Sequence, residues 1–230
     1  MNRSYQKELL DGTNLPFEDI RKNMEELDLI NTHLGGHKIS TQGISILTQN
    51  ISAAQSILVV EIGCGGGDNL RALRKWADHH QRKLELSGID INPECIAFAR
   101  QQKNNSGINF ICSDFRDVIF NRKPQIIFSS LFCHHFTEEE LVTQLQWMKN
   151  NSSIGFFIND LHRHPLAYHS IKLLTKLFSR SYLVKNDAPL SVKRGLSRKE
   201  WKAIFHQARI SSFECRWRWA FRWLITCTCN

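Results

Sequence analysis

The stretch VVEIGCGGGDNL, from Val59 to Leu70, decides the fold of this 230-residue chain. The apolar run Ile57 to Val60 predicts a buried strand, which Glu61 closes. A glycine-rich turn follows, and from Asp68 onward apolar residues recur at helical spacing. Glycines allow backbone to approach a ligand closely, and the start of a helix offers free N–H groups. The stretch therefore predicts a nucleotide-binding turn.

The spacing of the glycines narrows the kind of nucleotide. Gly63, Gly65 and Gly67 form an E-x-G-x-G-x-G pattern. A dinucleotide fingerprint is G-x-G-x-x-G, and counted from Gly63 its third glycine would fall on Asp68. The pattern instead resembles motif I of class I S-adenosylmethionine (SAM) methyltransferases. In that family the turn packs on the methionine part of SAM, which has no phosphate.

Acidic residues also follow the next two predicted strands. Asp90 ends the run Leu84 to Ile89, where a carboxylate can accept hydrogen bonds from both ribose hydroxyls. Ile108 to Cys112 leads to Asp114, which the resemblance assigns to the adenine amine, with its neighbour Phe115 covering the ring. The alternative is that Asp90 and Asp114 merely cap helices. The cofactor-binding residues we predict are Glu61, Gly63, Gly65, Gly67, Asp90, Ile91, Asp114, Phe115 and Ser130.

The order of the predicted elements gives the fold class. Helical periodicity before the glycine turn breaks at HLGGHK, and strands then alternate with helices, which predicts a parallel sheet with crossover helices. Two alternating runs, Phe213 to Trp219 and Phe221 to Cys229, predict an antiparallel hairpin. We therefore expect an α/β fold with a Rossmann-like, seven-stranded class I methyltransferase sheet. That sheet would be mostly parallel, with an antiparallel C-terminal hairpin and N-terminal helices.

Length and composition favour a single methyltransferase domain over residues 1–230. We divide it into an N-terminal helical cap (1–50), a SAM-binding half (51–160), a substrate cover (161–195) and a C-terminal helix with hairpin (196–230). The chain contains no signal-peptide pattern and no apolar run of the ~18 residues that a membrane span needs. Seven scattered cysteines predict reduced thiols, a cytoplasmic protein and no metal site.

Histidines concentrate behind strands four and five. In open α/β sheets, ligands bind beyond the carboxyl ends of the strands. SSLFCHHF follows strand four (Gln125 to Ser130), and NDLHRHP follows strand five (Ile154 to Asn159). Catalytic candidates are His162 and His164, ranked first for their denser polar surroundings, and then His134 and His135. We assign substrate binding to Arg163, Asp160 and His37; a metal held by His162 or His164 with Asp160 is the competing interpretation of the same cluster.

The chemistry of methyl transfer explains why histidine would be useful here. SAM carries its own activation, so the enzyme aligns a nucleophile and removes its proton. A phenolic hydroxyl needs a general base with a pKa near the working pH, which suits histidine. The segment after strand four also lacks the (Asn/Asp)-Pro-Pro-(Tyr/Phe) loop of adenine amino-methyltransferases.

Two longer segments resemble a particular group of methyltransferases. SSLFCHHF with NDLHRHP resembles ubiquinone/menaquinone-type small-molecule methyltransferases, and NDLHRHP through SVKRG resembles bacterial methyltransferases encoded beside type III polyketide synthases. The resemblance implies a small aromatic or polyketide substrate, a phenol or a quinol, and a role in secondary metabolism. We expect O-methylation, with C-methylation of a similar ring as the alternative.

The net charge of +8 leaves a second class of function open. Arginines and tryptophans in WRWAFRW could stack on bases, as in a nucleic-acid-binding protein on a degenerate methyltransferase fold. Alternation, however, places Trp217 and Trp219 on one strand face, which we expect to be buried against helices. Nucleic acid is therefore the less favoured partner.

The cover segment, Pro165 to Arg194, has an apolar side and a basic side. We expect most of its apolar residues to pack on the sheet; the alternatives are a hydrophobic substrate pocket or peripheral contact with a membrane. The apolar residues concerned are Leu166, Leu173, Leu174, Leu177 and Phe178.

Overall fold

The computed structural model describes residues 1–12 and 15–229, and its centre is a seven-stranded sheet. The strand order is β3-β2-β1-β4-β5-β7-β6. The first five strands are parallel, and β7 lies antiparallel between β5 and β6. This confirms the expected sheet and hairpin. The strands are β1 (Ser56–Ile62), β2 (Lys83–Asp90), β3 (Asn109–Cys112), β4 (Ile126–Ser130), β5 (Gly155–Leu161), β6 (Phe213–Arg218) and β7 (Arg222–Thr228).

Helices cover both faces of the sheet. The break predicted at HLGGHK is confirmed, because Gly35 has a φ of 76° and separates the first two helices. Thr137 and Ser197 each form a capping box with the glutamate three residues later, which starts the fifth and eighth helices. The helices are α1 (Phe17–His33), α2 (Gly36–Thr48), α3 (Asp68–His79), α4 (Pro93–Gln101), α5 (Glu138–Asn151), α6 (Pro165–Phe178), α7 (Tyr182–Arg194) and α8 (Arg198–Gln207).

Alternate residues of the central strands build two apolar layers. Val60 and Phe156 pack with α5 and α8 on one face, whereas Val59 and Phe157 pack with α2 and α3 on the other. A Cβ on Gly43 would lie only 2.5 Å from the Phe157 ring, so glycine lets α2 lie directly on the sheet. These layers hold the strands rigidly and fix the positions of the loops at their carboxyl ends.

The cover segment forms α6 and α7, and the prediction that its apolar side packs on the sheet is wrong. Ala167 and Thr175 of α6 are buried, whereas its large apolar side chains are exposed rather than packed on the sheet. Helical periodicity shows that a helix has two faces, but not which face meets the protein. The exposed side chains are Leu166 (62%), Leu173 (58%), Leu174 (39%), Leu177 (64%) and Phe178 (78%).

The expectation of buried tryptophans in the hairpin is also wrong. Trp219 is 68% exposed, because it lies in the turn beyond β6 rather than on the strand. Trp217 is 44% exposed, because β6 is the edge strand. Within the described ranges, no helix is both long and apolar enough to cross a membrane, and all seven cysteines are free thiols.

Candidate active site

A large cavity opens at the carboxyl ends of the parallel strands. Its volume is about 1220 Å³, which exceeds the ~300–1,000 Å³ typical of small-molecule sites. It lies where the sheet order reverses between β1 and β4, the position at which open α/β sheets bind ligands. Helices α1, α6 and α7 and the N-terminal segment close it from above.

The glycine turn forms one wall of this cavity. Gly63, Gly65 and Gly67 have φ values of 67°, 48° and 75°, which favour glycine. A Cβ on Gly63 would lie 2.2 Å from the Phe132 ring. The backbone N–H groups of Gly63 and Cys64 both donate to the Ile89 carbonyl, which holds the turn against β2. The turn is thus a rigid surface without side chains.

Asp90 lies beside this turn at the end of β2. Its two carboxylate oxygens accept hydrogen bonds from the backbone N–H groups of Gly65 (2.8 Å) and Asn92 (2.9 Å). Burial raises the pKa of Asp90, although these two hydrogen bonds act to lower it. Each oxygen keeps a further lone pair, which can accept a ligand hydroxyl. The next residue, Ile91, is 69% exposed and lines the rim of the cavity.

Glu61 is a buried carboxylate at the wall of the cavity. Its Oε2 atom has no hydrogen-bond partner among residues 1–12 and 15–229. Burial, followed by the nearby charges of Asp68 and Asp90, raises its pKa well above the ordinary value. A buried carboxyl without a partner favours a cationic ligand. SAM carries an ammonium and a sulfonium, so this residue fits that cofactor.

Three other predicted cofactor residues lie in different surroundings. Ser130 is buried and lines the cavity, and its hydroxyl has no hydrogen-bond partner in the described part of the chain. Asp114 accepts hydrogen bonds from the guanidinium of Arg116, which lowers its pKa. Phe115 packs into the core against Trp147. Neither Asp114 nor Phe115 is among the described residues that line the cavity.

His134 follows β4 and is almost fully buried at the cavity wall. Its Nδ1 lies 2.8 Å from Oδ1 of Asp160. Asp160 also accepts hydrogen bonds from the backbone N–H groups of Cys133 (2.6 Å) and Leu161 (2.7 Å). Burial opposes the charge on the imidazole, but Asp160 and Glu8 override it and raise the pKa of His134 to about 9. His134 is therefore protonated at neutral pH.

His135 is more open to the cavity and meets two acids from the N-terminal segment. Its Nδ1 lies 3.1 Å from Oδ1 of Asp11, and its Nε2 lies 3.9 Å from Oε2 of Glu8. Burial raises the pKa of Asp11, but His135 and other donors lower it to about 2. Arg194 of α7 donates to the carbonyls of His134 and His135 and fixes both residues.

Sequence reasoning missed Glu8, Asp11 and Arg194. Each is separated from the histidines by many residues, and none stands in a motif. One signal was available: two carboxylates in an otherwise weakly helical N-terminal stretch, at a spacing of three residues.

The histidines ranked first on sequence lie elsewhere, and neither is among the described residues of the cavity wall. His162 contacts the Trp223 ring at 4.7 Å, and burial, His164 and Arg163 lower its pKa. His164 caps α6 by accepting a hydrogen bond from the backbone N–H of Leu166. The structure therefore brings His134 and His135 to the cavity and leaves His162 and His164 at the base of α6.

The three residues assigned to substrate binding make protein contacts. The Nη2 atom of Arg163 donates to both carboxylate oxygens of Glu200, at 2.8 and 2.9 Å. Asp160 lies beneath the turn that carries His134. The Nε2 atom of His37 lies 2.8 Å from Oδ2 of Asp68, which itself lines the cavity. None of the three is among the described residues that line the cavity.

Comparison with known families finds a match for the part of the chain that forms the wall with the glycine turn. The family described as "Methyltransferase domain" matches residues 59–155, from β1 to the start of β5. Residues 59–155 are therefore similar to methyltransferase domains. The matched segment contains the glycine turn, Asp90 and both cavity histidines.

Curated relatives of the domain are distant. The malonyl-[acyl-carrier protein] O-methyltransferase of Acetivibrio thermocellus is 28% identical over 81 residues, which cover 35% of this chain and 27% of that protein. The enzyme of the same name from Anoxybacillus flavithermus is 26% identical over 153 residues, covering 66% of this chain and 56% of the relative. The matches thus span between about a quarter and just over half of these relatives.

Solved structures share the fold. The plantazolicin methyltransferase BpumL, solved with a monoazolic desmethylPZN analog and SAH, has a TM-score of 0.62 at 21% identity and covers 85% of this chain and 72% of that chain. Magnesium protoporphyrin IX methyltransferase (ChlM) from Synechocystis PCC 6803, solved with bound SAM, has a TM-score of 0.57 at 12% identity and covers 88% and 84%. At these identities the likeness shows the methyltransferase fold alone.

Proposed function

We propose that the protein transfers the methyl group of SAM to a hydroxyl of a small aromatic or polyketide substrate, such as a phenol or a quinol. One observation carries the proposal: the glycine turn with Asp90 and the pair His134 and His135 open into the same cavity of about 1220 Å³. A cofactor and an acceptor bound there would lie side by side.

The cofactor half of the cavity supplies a complementary group for each part of SAM. The Gly63–Gly67 turn would lie against the methionine part, and Glu61 would pair with its ammonium. Asp90 would accept both ribose hydroxyls, with Ile91 at the edge of the adenine. Asp114, Phe115 and Ser130 remain proposals on the family resemblance alone. When bound, SAM supplies an electrophilic methyl carbon on a sulfonium.

The acceptor half contains a histidine suited to take up a proton. His134 is protonated at neutral pH, so it cannot serve as the base. His135 is the better candidate, because Asp11 holds its Nδ1 and its side chain borders the cavity. The Nε2 atom of His135 would take the proton of the acceptor hydroxyl as the hydroxyl oxygen bonds to the methyl carbon. The carbon–sulfur bond of SAM would break in the same step, with its electron pair left on the sulfur of SAH. His162 and His164 become the less favoured candidates.

The cavity wall favours an apolar acceptor. Many of its lining side chains are large and apolar or aromatic, and such side chains bury flat, apolar rings well. The curated relatives are named O-methyltransferases, which supports transfer to oxygen. C-methylation of a similar ring would use the same base, and product analysis separates the two. The apolar lining comprises Met24, Leu27, Ile30, Phe132, Phe136, Ile171, Leu174, Trp219 and Phe221.

Helix α6 supports a lipophilic acceptor delivered from an anionic membrane surface. Its inner side, with Ala167 and Ile171, lines the cavity, while its outer apolar face is exposed. From Leu161 to Asn186 the chain contains no Asp or Glu, and Lys172 and Lys176 flank the apolar face. An amphipathic helix of this kind lies in the plane of a membrane interface. Phosphatidylserine vesicles should sediment the protein in low salt, and Leu177→Glu should reduce this.

The alternative function, nucleic-acid binding, is supported by one observation at the hairpin. Trp217 and Trp219 are exposed there, close in sequence to the exposed Arg216. Trp219 also lines the cavity, however, which connects it with the small-molecule site. Strong, salt-sensitive binding to RNA without binding of SAH would favour the alternative.

The deciding experiment has two stages. Isothermal titration with SAH tests the cofactor site, and NAD should give no heat. Incubation with SAM and a panel of phenols and quinols, followed by mass spectrometry, then identifies the methylated atom. On an active substrate, His135→Ala should lower kcat at least ~100-fold, whereas the matched control His162→Ala should not. Equal rates in both variants would remove His135 as the base.

A further inference from the structure

Glu8, His134 and His135 form a compact cluster, of which the proposed proton transfer uses only His135. One donor atom of each residue lies within 4.8 Å of the donor atoms of the other two. The Nε2 atom of His134 lies 3.5 Å from Oε1 of Glu8, and Nε2 of His135 lies 3.9 Å from Oε2. Both imidazoles thus present Nε2 to the same carboxylate.

These separations are longer than a good hydrogen bond. Charge-assisted N–H···O bonds are about 2.7–2.9 Å long. In a tetrahedral site with Zn–N and Zn–O distances near 2.0–2.1 Å, neighbouring ligand atoms lie about 3.4 Å apart. The two measured distances are therefore closer to those of ligands around an ion than to those of an ion pair in direct contact.

The other ring nitrogen of each histidine is already held by a separate carboxylate. Asp160 lies 2.8 Å from Nδ1 of His134, and Asp11 lies 3.1 Å from Nδ1 of His135. Metal-binding histidines almost always donate their second N–H to a carboxylate, carbonyl or water, which directs the free lone pair at the metal. Here this support is present for both residues.

We propose that Glu8, His134 and His135 bind a divalent transition metal ion, for which Zn²⁺ is the best fit. Two imidazoles and one carboxylate form the ligand set of catalytic zinc sites, which keep a fourth position open. All three residues line the cavity, so that position would face the acceptor.

Charge supports the assignment. The carboxylates of Glu8, Asp11 and Asp160 surround the pair, and Arg194 supplies one guanidinium. Metal ligation requires both histidines in the neutral form, and these four groups then sum to −2, which one divalent cation would neutralise.

The inference rests on the proposed function in one respect: we take the acceptor hydroxyl to be the ligand at the fourth, open coordination position of the ion. An acceptor hydroxyl bound to Zn²⁺ loses its proton near neutral pH. Metal and proton compete for Nε2 of His135, so the metal-loaded protein would activate the acceptor through the ion rather than through a free imidazole.

A second cluster provides a matched control. Asp28, His37 and Asp68 also lie close together at the cavity. Arg71 already pairs with Oδ2 of Asp28 at 2.6 Å, so this carboxylate has a cationic partner within the protein. His37→Ala should therefore leave metal binding unchanged.

The experiment measures metal uptake without any methyl transfer. Chelator-treated protein is titrated with Zn²⁺ by calorimetry and with Co²⁺ by visible absorption. Circular dichroism checks that each variant is folded, and SAH binding is measured separately. Wild type should bind one equivalent, Glu8→Gln and His135→Ala should each weaken binding at least tenfold, and Asp160→Asn should weaken it ~10- to 100-fold.

Two results would overturn the inference. The first is wild-type protein that binds no metal. The second is metal binding that survives in folded Glu8→Gln and His135→Ala. A charge-transfer band typical of a Co²⁺–thiolate bond would then assign the ion to cysteine. Because activity is not measured, metal binding without SAH binding would reject the proposed function while leaving this site in place.

Discussion

The charge on His134 predicts how the stability of the protein depends on pH. Its side chain is 2% exposed, and burial alone would lower its pKa. Asp160 and Glu8 override burial and raise the pKa from 6.5 to about 9. A shift of this size corresponds to about 3 kcal/mol of stability, at 1.36 kcal/mol for each pKa unit.

The sign of the effect follows from which state holds the proton more tightly. The folded protein has the higher pKa, so the stabilisation is fully present below the unfolded value of 6.5. It is lost as the pH rises through about 9. His134→Gln retains a polar side chain at this position but cannot take up the proton, so its stability should lack this component.

Urea unfolding of wild type and His134→Gln in a chelator, between about pH 6 and about pH 9.5, measures the effect as a difference. The variant should be less stable at low pH by an amount that shrinks by about 3 kcal/mol across the range. His162→Gln is the control of opposite sign, because burial lowers the pKa of His162. A difference between wild type and His134→Gln that stays constant with pH would show that His134 is not a buried cation.

Three further variants test other parts of the structure. Asp90→Ala should weaken SAH binding by roughly 2–4 kcal/mol in calorimetry, since two charge-assisted hydrogen bonds to the ribose are lost; unchanged affinity would remove Asp90 from the site. Gly63→Ala should lower stability by about 1–3 kcal/mol in urea unfolding, because its φ is 67° and its Cβ would lie 2.2 Å from Phe132; a stable variant would show that the turn can rearrange. Leu177→Glu should leave the unfolding free energy within about 0.5 kcal/mol of wild type, because the side chain is 64% exposed; a large loss would mean that this face is covered.

The parts of the fold that depend on local pattern could be predicted from the sequence. The apolar run before Glu61 is the strand of a strand–turn–helix unit. The residues that identify this unit all lie within about a dozen positions of one another. Strand five was predicted at Ile154 to Asn159, and β5 runs from Gly155 to Leu161. Periodicity, turn residues and capping boxes are local signals, and their agreement fixed the sheet and its hairpin.

The direction in which an amphipathic element faces is not a local signal. Leu173 and Leu177 of α6 form an apolar stripe whether they meet the protein or not. In this structure the smaller Ala167 and Thr175 meet the protein. The sequence therefore showed that α6 has two faces, but only tertiary packing determined which face is exposed.

The position of the candidate base depends on the order of the strands in the sheet, which local sequence does not show. The rule for open sheets pointed to the loops after both β4 and β5, and the density of polar residues favoured the second. In the sheet, β4 lies directly beside β1, whose glycine turn forms the cofactor wall, while β5 lies one strand further away.

The chain after β4 therefore meets the cofactor wall first, and His134 and His135 stand in that position. The chain after β5 is drawn away, because the N–H of His162 bonds to the Phe221 carbonyl of the hairpin and His162 pairs with Leu196. Strand order was thus a better guide than local polarity to which histidines line the cavity, since the distance of a loop from the glycine turn depends on which strands are neighbours. The acids that complete the site come from the N-terminal segment, more than a hundred residues from the histidines in sequence, and contacts of that separation are visible only in the folded chain.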